Sequence, residues 1–138
     1  MIARLVAAAL IVAALPALAR DDDIIVVTRG ADTTMYGACM PSLVAANRSN
    51  LYVDYVQVDL EFTLRDGRTH RHEFKSSYRY GAPLPILPNV TRPLVIHGDE
   101  SRPMMAACTD IVGIRVLDAI CETDGKPCPT PISVKVDR

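Results

Sequence analysis

Between Tyr55 and Arg65 the chemical character of the side chains changes at every position. Val56, Val58, Leu60, Phe62 and Leu64 are apolar, while Tyr55, Gln57, Asp59, Glu61, Thr63 and Arg65 form the other set. Successive side chains of a strand point to opposite faces, so the run predicts a β-strand with one face on a core and one in water. Asp66-Gly67 follows at once, and alternation resumes with Thr69, Arg71, Glu73, Lys75, Ser77 and Arg79 set against His70, His72, Phe74, Ser76, Tyr78 and Tyr80. A two-residue turn would put Arg71 opposite Phe62 and Glu73 opposite Leu60, with charges on the core face. A three-residue loop, Asp66-Gly67-Arg68, pairs Leu64 with His70, Phe62 with His72 and Leu60 with Phe74. The hairpin then keeps one apolar and one charged face.

Other segments read the same way. Ile24 to Thr28 and Leu43 to Ala46 are short strands, and Leu94-Val95-Ile96-His97 is another. Gly81 to Pro93 holds four prolines, which cannot donate to a ladder, and is expected to be a crossing loop or ragged edge. Gly98 to Pro103 is a turn-rich connection. Ile111 to Cys121 places Val112, Ile114, Val116 and Ile120 on one parity, with Asp118 as an exception that predicts a bulge or the end of burial. After the polar turn Glu122 to Pro127, the last strand has Ile132, Val134 and Val136 inward. Six or seven short strands separated by turns, with no helical periodicity, predict an all-β fold. The expected architecture is an antiparallel two-sheet sandwich of immunoglobulin or fibronectin-III type.

The first 19 residues have the three-part layout of a secretory leader. Arg4 is followed by an apolar run from Leu5 to Leu15, then by Ala17-Leu18-Ala19 before a charged start at Arg20. That run is about half the roughly 20 residues a bilayer span requires, so a retained membrane anchor is not expected. Cleavage after Ala19 leaves 20–138 as one expected domain, exported to the periplasm or secreted. Without Arg4 the charge is 14 basic against 16 acidic residues, a balance that offers no electrostatic footprint for nucleic acid. Tryptophan is absent, so the core must be aliphatic for the most part.

All four cysteines lie beyond the leader, and an even count in an exported chain reads as disulfides with three pairings open. Cys121 and Cys128 flank the turn of a hairpin and can meet across its base. That leaves Cys39 for Cys108. No CxxC pair is present to suggest zinc.

Candidate sites are few. His70 and His72 share one strand face and, with His97, Met40, Met104 or Met105, could supply copper ligands; the competing reading has both imidazoles closing the open end of the core. No nucleophile motif is present, so neither enzyme activity nor a cofactor is expected. Tyr52, Tyr55, Tyr78 and Tyr80 gather at the far end of the first hairpin and form a candidate binding surface, although tyrosines half-buried at the core edge would give the same pattern. Asn47-Arg48-Ser49 and Asn89-Val90-Thr91 match the N-glycosylation pattern. The alanine-rich leader is of bacterial type, so both are expected to stay unmodified.

The order of these features resembles the bacterial interleukin receptor mimic protein A family of small secreted sandwiches. The matching stretches are the strand Asp23 to Arg29, the cysteine in Tyr36-Gly37-Ala38-Cys39, the hairpin from Val58 to Thr69, and the cysteine entering a strand in Cys108 to Ile114. Cys121, Cys128 and the early chain end depart from the pattern. The resemblance implies a fibronectin-III-like, non-catalytic protein-binding module that can form a homodimer, a virulence or immune-modulating factor engaging a host cytokine or cytokine receptor. The alternatives are a periplasmic copper-binding protein and a cell-envelope accessory subunit that pairs through an exposed edge strand.

Overall fold

The computed structural model describes residues 25–96 and 104–136. The leader, His97 and the connection 98–103 lie outside them. The described residues form twelve strands: β1 Ile25–Arg29, β2 Thr33–Met35, β3 Ala38–Met40, β4 Leu43–Asn47, β5 Tyr55–Leu64, β6 Thr69–Ser76, β7 Tyr78–Arg79, β8 Ala82–Pro83, β9 Thr91–Ile96, β10 Ile111–Thr123, β11 Lys126–Pro127 and β12 Ile132–Lys135, with one 3-10 turn at Cys108–Asp110. Seven of the strands have four residues or more. No helix among the described residues is long and apolar enough to cross a membrane.

The fold is the expected all-β sandwich, with its two layers joined along one curled ladder in the order β11-β10-β5-β6-β9-β4-β1-β12. β9 is the corner. Leu94 pairs with Leu43 of β4 on one side and with Ser76 of β6 on the other; residues before it follow β4 and those after it follow β6. A strand that changes partner midway lets one sheet fold over onto itself. Pro93 fits inside this strand because the β6 ladder has already ended at Leu94, so no amide is needed there. The proline-rich stretch is therefore part strand and part loop. β1 and β12 pair in parallel, which makes the sheet mixed rather than wholly antiparallel.

The core lies between the layers. Val56, Val58, Leu60, Phe62 and Leu64 of β5 meet Phe74 and His72 of β6, Leu43 and Ala45 of β4, and Ile25 and Val27 of β1. Burying each such aliphatic or aromatic side chain contributes about 1.5–3 kcal/mol.

The first hairpin differs from expectation in register. Phe62 faces His70, Leu60 faces His72 and Val58 faces Phe74, a slide of two residues along β5. The loop does have three residues, but they are Arg65-Asp66-Gly67. Leu64 N–H donates to the Arg68 carbonyl at 2.8 Å, and Gly67 N–H donates to the Leu64 carbonyl at 2.9 Å. Gly67 takes the left-handed conformation at φ 88°, so it closes the loop one residue earlier than a loop centred on it would. A slide of two keeps every side chain on its predicted face.

The parity of β10 is corrected more deeply. Register shifts fall between Ile111 and Gly113 and between Val116 and Asp118, the second at the predicted exception. Each bulge turns the following residues over. Ile111, Ile114, Ala119 and Cys121 face the core side, whereas Val112 is 57% exposed and Ile120 pairs beside Gln57 on the outer face.

Candidate functional site

Cys39 is joined to Cys108 and Cys121 to Cys128. The first bridge ties β3 to the turn that starts β10. The second clamps the β10–β11 hairpin, where Cys128 N–H also donates to the Cys121 carbonyl at 2.9 Å. Two disulfides suit an oxidising compartment.

The clamped hairpin forms one side of a groove of about 470 Å³, within the range typical of ligand sites. Three segments line it. Tyr52, Asp54 and Tyr55 lead into β5; Tyr78, Ala82, Pro83 and Pro85 come from the β7–β8 hairpin and its exit; Glu122 and Gly125 come from the β10–β11 hairpin. Backbone bonds fix them relative to one another. Asp54 N–H donates to the Glu122 carbonyl at 2.9 Å, Asp124 N–H donates to Asp54 Oδ2 at 2.7 Å, and Thr123 Oγ1 donates to the Tyr52 carbonyl at 2.7 Å. Val53 and Ile86, both buried, exchange backbone bonds beneath the groove.

Three of the four singled-out tyrosines thus converge on one groove. Tyr52 and Tyr78 are about half exposed, while Tyr55 is half-buried. The Tyr55 hydroxyl donates to Gln57 Oε1 at 2.7 Å, and Gln57 in turn donates to Glu73 and Asp59. Desolvation pushes the Tyr55 phenol above its usual 10.0, so the hydroxyl keeps its proton and remains a donor. Tyr80 does not line the groove. It stands almost fully exposed at the tip of the β7–β8 hairpin, with the Arg79 guanidinium 5.3 Å from its ring centre.

Asp54, Pro83, Pro85 and Glu122 were not legible as site residues. The prolines read as loop, and nothing in the spacing told that the two hairpins flank the same segment. The clustering of proline just after Tyr78 and Tyr80 was the available signal.

His72 is completely buried, with Phe62 edge-on at 5.7 Å between ring centres, Phe74 at 5.9 Å and His70 at 4.5 Å. Desolvation lowers the pKa of His70 below the ordinary 6.5. Both rings lie on the apolar face of the hairpin, with Phe62 and Leu60 as cross-strand neighbours. Among the described residues no third His, Cys, Asp or Glu groups with the pair; the one cluster of such atoms, Asp32 with Cys39 and Cys108, has both sulfurs in a disulfide. Met104 is buried and its backbone pairs with Cys39, while Met105 is exposed.

The two glycosylation patterns differ in setting. Asn47 is buried, its amide donating to the carbonyls of Leu51 at 2.7 Å and Ile86 at 2.9 Å, whereas Asn89 is exposed in a left-handed turn.

No family model and no curated protein matches the chain. Among solved structures, the chain is similar to IrmA from Escherichia coli, at 11% identity and a TM-score of 0.47, over 81% of this chain and 91% of that one.

Proposed function

We propose that the chain is an exported, non-catalytic protein-binding module and that the tyrosine-lined groove is its contact surface. The observation that carries this reading is the convergence of Tyr52, Tyr55 and Tyr78 on one cleft that disulfide-clamped backbone holds in place. Tyrosine gives large contact area at low entropic cost, and a rigid frame spares the ordering penalty of binding. The cysteines are committed to bridges, and His70 and His72 are spent on the hairpin's apolar face, which supports binding over chemistry.

The narrower reading is a virulence or immune-modulating factor that engages a host cytokine or cytokine receptor. It rests on the sequence resemblance alone. Surface plasmon resonance of the oxidised protein against purified cytokines and cytokine-receptor ectodomains tests it. Binding that weakens by about thirtyfold in a Tyr52→Ala, Tyr78→Ala variant, the loss of a single interface hot spot or more, is the expected result. Uniform lack of binding across the panel removes the cytokine reading.

A further inference from the structure

We infer that the groove receives an extended peptide and anchors it by one arginine side chain. The inference rests on the groove being a protein-binding surface, and goes further by naming the chemistry of the occupant.

Charge is the first ground. Asp54 and Glu122 are the charged residues among the described groove lining, and both are acidic. Lys75, whose charge reaches Tyr55, pairs with Glu73 at 3.1 Å and does not line the groove, and Arg79 and Lys126 neighbour the lining residues without lining it. Asp54 uses Oδ2 to hold the Asp124 amide, and Glu122 is exposed. Among the described residues no cation pairs with Asp54 or Glu122, so a group entering the cleft gains by bringing a positive charge.

Shape is the second. Tyr52 and Tyr78 offer aromatic surface beside those carboxylates. A guanidinium is planar, stacks on aromatic faces, and pairs with carboxylate through two parallel N–H donors; an ammonium does only part of this. The molecule already makes the stacked half of the contact next door, where Arg79 lies over Tyr80.

The third ground is backbone chemistry. Pro83 and Pro85 have no N–H to offer, so an incoming chain finds no continuous donor row to pair with as an added strand along that side. Contact with tyrosine and proline surfaces suits an extended, polyproline-like backbone instead.

A phage library of random linear twelve-residue peptides, panned on the oxidised full-length exported protein and counter-screened on the Tyr52→Ala, Tyr78→Ala variant, tests both levels separately. The inference expects groove-dependent peptides enriched in arginine. The best of them, made synthetically, should lose about tenfold or more in affinity on Arg→Gln replacement, and a similar factor on Glu122→Gln. Glu122 is exposed, and an unchanged circular dichroism spectrum checks that Glu122→Gln is folded. Groove-dependent peptides without arginine, or indifferent to Glu122→Gln, overturn the inference and leave the groove as a binding surface. Failure to recover any groove-dependent peptide overturns both. Self-association of the protein that Arg79→Gln abolishes would make the occupant a second copy's hairpin tip and would also overturn the inference.

Discussion

Asn47 shows how much one side chain can hold. Its amide nitrogen satisfies the carbonyls of Leu51 and Ile86, and its Oδ1 accepts from Ser49 N–H at 3.0 Å and Ser49 Oγ at 2.6 Å. Four bonds from a residue 1% exposed join the end of β4 to the two loops that floor the groove. Asn47→Ala strands buried carbonyls and is expected to cost on the order of 2–4 kcal/mol, measured by urea unfolding; a loss under about 1 kcal/mol would mean that water replaces the amide. The sequence offered Asn47 only as part of a three-letter glycosylation pattern, because a clamp depends on carbonyls from positions 51 and 86 that no local pattern brings together. His70 is legible in part. Its face was predictable from alternation, but not the degree of desolvation that lowers its pKa. The folded state disfavours the imidazolium relative to the unfolded chain, whose pKa is 6.5. Between the folded pKa and 6.5 the unfolded chain binds more protons, so stability is fully present above that window and declines as pH falls through it. The expected outcome is a drop in unfolding free energy on acidification below 6.5 that is smaller in His70→Gln; equal pH dependence in the two proteins would remove the assignment.

At the scale of elements, legibility follows from how the backbone treats period two. β5 and β6 obey it from end to end, so their faces could be read off even though the register slid by two. β10 breaks it twice, and each bulge adds a residue that composition does not mark, except where Asp118 interrupts an apolar series. The second shift turns Asp118 onto the outer face of the sheet, away from the core. Asp118 lies opposite Asp59, which itself lies opposite Glu73, and Arg71 reaches over to Asp59 at 2.8 Å. Asp59 is itself buried, 4% exposed, so hydrogen bonds from the Arg71 guanidinium and the Gln57 amide, more than water, offset the repulsion of its acidic neighbours. The turns hold the other missed signal. Tyr36-Gly37-Ala38 and Tyr80-Gly81-Ala82 are the same string, and both make two-residue turns with positive φ at tyrosine and glycine (50° and 78°, 53° and 79°). Each places a tyrosine at the tip of a two-stranded hairpin, almost wholly in solvent. A left-handed tyrosine costs about 1–2 kcal/mol, and asparagine or aspartate would have signalled such turns in the sequence.

Across the whole molecule, the covalent frame has to compensate for a short chain whose sheet closes through one corner strand. The two disulfides do this unequally. Cys39–Cys108 spans 69 residues and connects the small β2–β3 hairpin to the start of the longest strand, while Cys121–Cys128 spans 7 and acts within one hairpin. In the chain-entropy account the longer loop stabilises by about 4 kcal/mol and the shorter by about 2 kcal/mol. A Cys39→Ala, Cys108→Ala variant is therefore expected to unfold at clearly lower urea than a Cys121→Ala, Cys128→Ala variant, with both probes of secondary and tertiary structure moving together. The two losses also differ in where they act. Removing the long bridge lowers global stability and leaves the groove intact in the molecules that remain folded. Removing the short one frees the β10–β11 hairpin that carries Glu122 and Gly125, so peptide affinity falls by more than the change in unfolding midpoint would suggest. Measuring unfolding and peptide binding on both variants separates the two roles. If the short-loop variant binds as tightly as the parent, the groove does not depend on that clamp, and its geometry is set by the Asp54 and Thr123 bonds alone.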